Sequence, residues 1–290
     1  MDDDGEQREF DRSWLYSLGW DSSTAEHAGA DANAGVIAGV MPLLGMPEAS
    51  VRRLVTVWEP VPDNGAAQVP FRVVIPWAMD FVGRDPHEKA EIIHRTDQLF
   101  GFSILMMDSQ GGGSEVYKYL RRPLEGSCAF GRGLATAADQ AAGYPHARPI
   151  VHGFNQAGLI EVLPPEMLGA VDRIRFGAMG MVRELFRGRR VRFCPPLDFF
   201  QKRRIPLTEG QAGAAAAVTK MRRQFKSIYA EMDTRKDPPE PKRTAQGAMV
   251  FNCRGKKDIA MTGIYAMMGA MILIKRWVAE FAAGGGDEGW

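Results

Sequence analysis

The segment TEGQAGAAAAVTKMRRQFKSIYAEMD (208–233) carries the main signals for the fold of this chain. Thr208 stands where a helix needs an N-cap and an alanine-rich run follows, so the segment predicts a helix that begins after Thr208. Arg222, Lys226 and Tyr229 recur at steps of four and three residues, which would place them on one face of that helix. The segment therefore predicts a helix with a basic outer face.

Helical spacing of apolar residues recurs along the rest of the chain. It predicts helices over 85–99, 164–186 and 258–282, with a further helix over 35–45. Asp85 is a candidate cap, Pro86 suits the first helical position and Glu88 completes a capping box. Only 70–83, rich in valine, isoleucine and aromatics, reads as a strand or an irregular buried segment. The expected fold is mainly α: a helical core with an extended N-terminal arm, a C-terminal segment and little β structure.

Composition changes divide the chain into three predicted parts. They are an acidic N-terminal arm (1–34), a helical core with a basic groove (35–245), and a C-terminal helix and tail (246–290). The arm is polar apart from the knot WLYSLGW (14–20), and such a knot favours docking into a groove on its own body or on a neighbour. The predicted self-association residues are Trp14, Tyr16, Leu18 and Trp20.

Charge is distributed unevenly along the chain, although the net charge is only +1. Residues 1–100 hold 17 acidic and 8 basic side chains, whereas residues 181–290 hold 21 basic and 11 acidic ones. An acidic front and a basic back suggest a nucleic-acid surface or head-to-tail self-association. A chance distribution that folding intermixes would give the same pattern.

Four basic clusters lie in the last third of the sequence, several of them interleaved with aromatic residues. Cationic groups neutralise phosphates and exposed aromatic rings stack on bases, so the clusters favour an RNA partner. A solvated helix face with loop charges is the alternative. The predicted RNA-binding residues are Arg187, Arg189, Arg190, Arg192, Lys202, Arg203, Arg204, Arg222, Arg223, Lys226, Tyr229, Arg254, Lys256 and Lys257.

Few residues indicate catalysis or a bound metal ion. His87, Glu91 and His94 would share one face of a helix, but no further ligand follows them, so a polar outer face explains them equally well. The three cysteines are far apart and odd in number, which argues against a disulfide framework and for a reducing compartment. The sequence predicts no metal, no cofactor and no nucleophile motif.

One stretch resembles a known family. RQFKSIYA (223–230) is similar to the RQF…YA helix of flexible filamentous plant-virus coat proteins of the potexvirus type. The preceding residues 207–221 resemble the alanine-rich helix that leads into that motif, and the pair Pro238–Pro239 follows it. The resemblance implies an all-helical subunit that polymerises around single-stranded RNA, with Arg223 as the residue carried over from the motif.

The function expected from the sequence is therefore structural. It is a single-stranded-RNA-binding coat or nucleocapsid protein, not an enzyme, that self-associates through its arm in a virion or in host cytoplasm. The most apolar stretch (259–274) is too short for the roughly 20 residues of a membrane span, so no integral insertion is expected. One alternative is a cytosolic enzyme with an anionic substrate that uses His87, His94 or His152 with the arginine clusters. Another is a membrane-apposed scaffold of the matrix type.

Overall fold

The computed structural model describes residues 14–23, 32–42, 71–108, 111–122, 133–154, 182, 185–187, 190–242, 251–253 and 258–282. Within these ranges the strands are β1 (Leu15–Asp21), β2 (Asn33–Pro42), β3 (Phe71–Phe81), β4 (Ile104–Asp108), β5 (Val151–Phe154), β6 (Val191–Phe193), β7 (Ile228–Ala230), β8 (Met232–Asp233), β9 (Glu240–Pro241) and β10 (Phe251–Cys253). The helices are α1 (Pro86–Phe100), α2 (Gly112–Leu120), α3 (Ala137–Gly143), α4 (Leu197–Lys202), α5 (Glu209–Ser227) and α6 (Asp258–Ala282).

A six-stranded mixed sheet organises the molecule, in the order β5-β4-β1-β2-β3-β6. The first three strands form an antiparallel meander. On one side, β4 runs parallel to β1 and β5 runs parallel to β4. On the other side, β6 runs parallel to β3. Two small antiparallel pairs, β7 with β10 and β8 with β9, lie outside this sheet. The prediction of a mainly α fold with little β structure is wrong.

Strand β2 illustrates why the sheet was not predicted from the sequence. Apolar spacing predicted a helix over 35–45, but NAGVIAGVMP forms a strand between β1 and β3. Val36 and Ile37 are neighbours in sequence and both are fully buried, one on each face of the sheet. A strand that is buried on both faces is an unbroken apolar run, which hydrophobic spacing alone does not distinguish from a buried helix.

The predicted N-terminal arm contains the central strand of the sheet. Tyr16, Leu18 and Trp20 of β1 are at most 3% exposed and belong to the core on one face. Ser17 and Gly19, on the opposite face, are also buried. Every second residue of a strand points to the same face, so the apolar knot fills the core. These side chains are therefore not available for docking onto a neighbouring subunit.

Helices cover both faces of the sheet. Ala90 and Ile93 of α1 and Val116 of α2 pack on the face that carries Trp20. Helices α5 and α6 pack on the other face, which carries Val36, Ala38 and Ile75. The long apolar helix α6, from the predicted C-terminal segment, lies across β1, β2 and β4. None of the described helices combines the length and apolarity needed to span a bilayer.

Several helix predictions are confirmed where local signals were strong. Asp85 caps α1, its Oδ1 accepting a hydrogen bond from the Glu88 backbone N–H at 2.9 Å. Thr208 caps α5 in a reciprocal capping box with Gln211. The final apolar helix is α6. The predicted helix over 164–186 lies mostly outside the described residues, with residues 182 and 185–187 helical.

Removing residues 1–22 is expected to abolish folding, because β1 pairs with both β2 and β4 and carries core side chains on both faces. Circular dichroism of the truncated chain during heating is expected to show no cooperative transition, whereas the full chain melts cooperatively. A truncated protein with the spectrum and cooperative melting of the full chain would contradict this expectation.

Candidate active site

Two aspartates end adjacent parallel strands. Asp21 is the last residue of β1 and Asp108 is the last residue of β4. Trp20 is in register with Met107, so the two aspartates stand side by side one residue further on. Neighbouring strands lie about 4.8 Å apart, so these carboxylates belong to one small region at the carboxyl end of the sheet.

Both aspartates point toward the face that α6 covers. In β4, Ile104 and Met106 pack in the core on that face. Asp108 lies two residues after Met106, so its side chain points to the same face. In β1, Gly19 faces the α6 backbone, and Asp21 lies two residues beyond it. Asp108 is only 8% exposed, while Asp21 is half-buried.

The direction of α6 brings a third carboxylate to the same end of the sheet. Gly269 lies against Ser17, while Thr262 and Ala266 lie against Gly19, so the helix begins near the end of β1. Asp258 is its first residue. The Oδ2 atom of Asp258 accepts a hydrogen bond from the Ala32 backbone N–H at 3.2 Å.

Ala32 places Asp258 relative to β1. It directly precedes β2, and two residues later Ala34 pairs with Asp21. Asp21, Asp108 and Asp258 therefore come from three elements and occupy the same end and the same face of the sheet. We refer to these three side chains as the carboxylate site.

The chain that leaves β1 is held by buried polar groups. Trp20 Nε1 donates to Ser22 Oγ at 2.7 Å, and the Ser23 backbone N–H donates to Asn33 Oδ1 at 3.0 Å. Lys89 of α1, only 4% exposed, donates from Nζ to the Ser23 carbonyl at 2.8 Å. These bonds fix the backbone that directly follows Asp21.

Glycines allow α2 to approach the carboxylate site closely. A Cβ on Gly112 would lie 2.7 Å from the Ser22 carbonyl oxygen, and one on Gly113 would collide with the Asp108 carbonyl. Gly111 has a φ of 52°, a conformation that favours glycine. Helix α2 begins directly after it, at Gly112.

A fourth aspartate in the same row is already paired. Asp80 of β3 is in register with Ala34, which is itself in register with Asp21. Asp80 forms an ion pair with Lys220 of α5. Asp80 is separated from Asp21 by a whole strand, or about 9.6 Å, and its charge is neutralised, so we do not include it in the carboxylate site.

The donor chemistry of the carboxylate site suits a hard divalent cation. Magnesium and manganese prefer carboxylate oxygens, and the site offers one carboxylate from each of three elements. Among the described residues, no three histidine, cysteine, aspartate or glutamate side chains are already close enough together to hold an ion. The residues thus fit such a metal in type, but their side chains are not grouped around a common point.

The predicted histidine candidates do not come together. His87 is exposed and its ring contacts Tyr119, whereas His94 is buried, and burial together with the Arg148 cation lowers the pKa of His94. Glu91 pairs with Arg95 on the surface of α1. His152 is buried in β5. The enzyme alternative based on these histidines therefore has no common site in the described chain.

The predicted RNA-binding residues are distributed over several environments. Arg222, Arg223 and Lys226 are exposed on α5, but Tyr229 lies in β7, beyond the end of the helix. Arg187, Arg192 and Arg204 are exposed, and Lys202 pairs with Asp198. Arg203 stacks on Phe199, and burial lowers the pKa of Arg190. Arg189, Arg254, Lys256 and Lys257 lie outside the described residues.

No protein-family model matches this chain, and no curated protein matches it. Two of the similar solved structures are crystal structures of the large terminase nuclease from the thermophilic phage G20c. The one with bound magnesium has a TM-score of 0.40 and 10% identity over 89% of this chain and 83% of that one. The other has a TM-score of 0.39 and 9% identity over 89% and 84%. Similarity at this level does not define a function.

The fold overturns the expected coat or nucleocapsid function. That expectation, including its non-enzymatic part, rested on an all-helical subunit with a free arm. The expected location in a virion or in host cytoplasm is not tested and stays a prediction. The chain instead has a six-stranded sheet whose central strand comes from the predicted arm. The motif RQFKSIYA (223–230) does not form one helix, because α5 ends at Ser227 and Ile228 begins β7.

None of the three aspartates was predicted to be a site residue. A usable signal was present, since LYSLGWD and ILMMD are both short runs that end in an aspartate. An acidic residue directly after a buried strand indicates a site at the carboxyl edge of a sheet. Asp258 carries no comparable local signal, because only packing brings the start of α6 to that edge.

Proposed function

We propose that this protein is a metal-ion-dependent nuclease that hydrolyses phosphodiester bonds at the carboxylate site. The observation that carries the proposal is the position of Asp21, Asp108 and Asp258 on one face of the sheet, at the carboxyl ends of two adjacent parallel strands. Carboxylates that hold divalent cations are the common basis of phosphodiester cleavage by nucleases and polymerases.

The topology supports a site at this position. After β1 the chain turns toward β2, whereas after β4 it continues toward β5 on the other side. Such a divergence opens a crevice at the carboxyl ends of the two strands, where open α/β sheets bind their ligands.

Asp21, Asp108 and Asp258 would hold the cation. A bound magnesium or manganese ion would supply Lewis-acid stabilisation of phosphate oxygens and a water of lowered pKa. The protein itself holds the carboxylates in place through hydrogen bonds. The bonds from Lys89 and to Asn33 hold the backbone after Asp21, and the Ala32 N–H orients Asp258. A shared ion would require the three side chains to move closer together, because in the structure they are not grouped tightly enough to hold one.

The test is hydrolysis of supercoiled plasmid DNA and of labelled single-stranded RNA by the full chain. Cleavage of at least one substrate is expected with Mg²⁺ or Mn²⁺ and none is expected with EDTA. Absence of cleavage with both ions, by a protein that melts cooperatively, would overturn the proposal. Cleavage that persists in EDTA would also overturn it.

Metal binding is expected to stabilise the fold even without substrate. A ligand that binds only the folded state adds about 2.7 kcal/mol of stability at one hundred times its dissociation constant. We therefore expect the melting temperature of the full chain to rise with Mn²⁺ concentration, and to rise less in Asp108→Asn. An equal rise in both proteins would place the ion elsewhere.

A further inference from the structure

Three cationic side chains stand together on one turn of α5 without acidic neighbours on that helix. Arg222, Arg223 and Lys226, which we call the basic ridge, are all exposed. The sequence contains no aspartate or glutamate between Glu209 and Glu231. Like charges at i and i+4 destabilise a helix by a few tenths of a kcal/mol, so the ridge has a cost that folding alone does not explain.

Several other exposed cations of the described chain form ion pairs with carboxylates. Arg95 pairs with Glu91, Lys118 with Glu115, and Lys236 with Glu240. Among the described residues, no carboxylate forms an ion pair with a side chain of the basic ridge. The ridge is therefore a concentrated positive charge that an external anion can contact.

Aromatic packing holds the ridge in place. The Arg222 guanidinium lies over the Phe193 ring, 5.6 Å from its centroid. Phe193 and Phe225 both pack against Phe186, with ring centroids 5.8 and 5.1 Å apart respectively. These rings pack against one another and against the core, so they support the cations and are not free platforms on which bases could stack.

The helix that carries the basic ridge contacts the first turns of α6, which begins with Asp258 of the carboxylate site. Gln224, within the ridge segment, accepts a hydrogen bond from the Ala260 backbone N–H at 3.0 Å. That N–H belongs to the first turn of α6, which begins with Asp258. One turn further along α6, a Cβ on Gly263 would lie 3.2 Å from the Phe225 ring. The helix that carries the cations is therefore joined directly to the turn that carries the third carboxylate.

We propose that the basic ridge binds the phosphodiester backbone of a nucleic acid and guides it to the carboxylate site. Recognition is independent of base sequence, because the cations of the ridge contact phosphates, which are the same in every nucleotide. The neighbouring aromatic rings pack against the protein and do not stack on bases. The guiding role rests on the proposed nuclease function. Backbone binding does not, since it requires no cleavage.

The experiment is a salt titration of affinity, measured by fluorescence anisotropy in EDTA so that metal-dependent cleavage cannot occur. The probes are a 30-base-pair DNA duplex and a single-stranded RNA of 30 nucleotides, each in two unrelated sequences. The variant is Arg222→Glu/Arg223→Glu/Lys226→Glu. The matched control is Arg95→Glu/Lys118→Glu/Arg122→Glu, which also reverses three exposed cations. They lie on or directly after α1 and α2, the helices that pack on the opposite face of the sheet.

Loss of three phosphate contacts is expected to reduce the slope of log affinity against log salt by about 2 for single strands or about 2.7 for duplex. The weakening should be the same for both sequences, and the control variant should keep the full slope. The probe that shows the larger change identifies the preferred nucleic acid. A variant containing Gln at the three positions, with the melting temperature of the unmodified protein, separates loss of charge from misfolding.

An unchanged slope in folded Glu and Gln variants would overturn the basic ridge as a binding surface, whether or not the protein cleaves nucleic acid. A flattened slope in a protein that never cleaves would retain the binding surface and reject the nuclease. Equal flattening in the control variant would also overturn the proposal, since it would reflect net charge alone.

Discussion

Replacing Asp108 with asparagine is expected to lower metal-dependent cleavage by at least about 100-fold. The substitution preserves the shape of the side chain but removes one of three carboxylates that would hold the cation. Electrostatic stabilisation by such an ion is worth several kcal/mol, and each 1.36 kcal/mol corresponds to a factor of ten in rate. The measurement is the initial rate of plasmid nicking at several Mn²⁺ concentrations. Part of the loss should be recovered at high Mn²⁺ if the cation is held less tightly.

Asp237→Asn is the matched control for this experiment. Asp237 is an exposed aspartate between β8 and β9, outside the main sheet, so the same chemical change there should leave the rate within about twofold. Asp21→Asn and Asp258→Asn are expected to reduce the rate as Asp108→Asn does. Full activity in a folded Asp108→Asn protein would remove Asp108 from the site and leave the other two carboxylates without their buried partner.

Replacing Gly19 with alanine is expected to destabilise the fold by about 3 kcal/mol, the upper end for overpacking a core. A Cβ at this position would collide with the Thr262 carbonyl oxygen and the Ala266 backbone nitrogen of α6. Both are backbone atoms, so no side-chain rotation relieves the clash and the whole helix must shift. The expected result is a large fall in the urea midpoint of unfolding. Because α6 carries Asp258, any folded fraction should also lose cleavage.

Gly213→Ala provides the control for the glycine substitution. Gly213 lies in α5, and a Cβ there would have open space around it. Alanine in the interior of a helix is favoured over glycine by roughly 0.5–1 kcal/mol, so this variant should be slightly more stable than the unmodified protein. If Gly19→Ala proved as stable as Gly213→Ala, α6 could not cross β1 as closely as described.

Local chemistry was enough to predict the helices with strong end signals. Asp85 as a cap followed by Pro86 defined the start of α1, and Thr208 before an alanine-rich run defined that of α5. These interactions join residues three apart in sequence, so no tertiary information was needed. The basic residues 222–226 were likewise identified from sequence, because a run of cations without acids can be read without knowledge of the fold.

The sheet and the carboxylate site depended on contacts between distant residues. The segment 14–20 is a polar-flanked apolar knot in sequence and becomes the central strand only because β2 and β4 pair with it. Asp21, Asp108 and Asp258 are separated by 87 or more positions, and each is an ordinary aspartate in its own segment. Strand register places the first two side by side, and the packing of α6 on Gly19 brings the third. The sequence by itself determined where helices begin and where positive charge is concentrated, because those properties are local. Only the tertiary structure decided which acids share a site, because strand pairing and helix packing set that proximity.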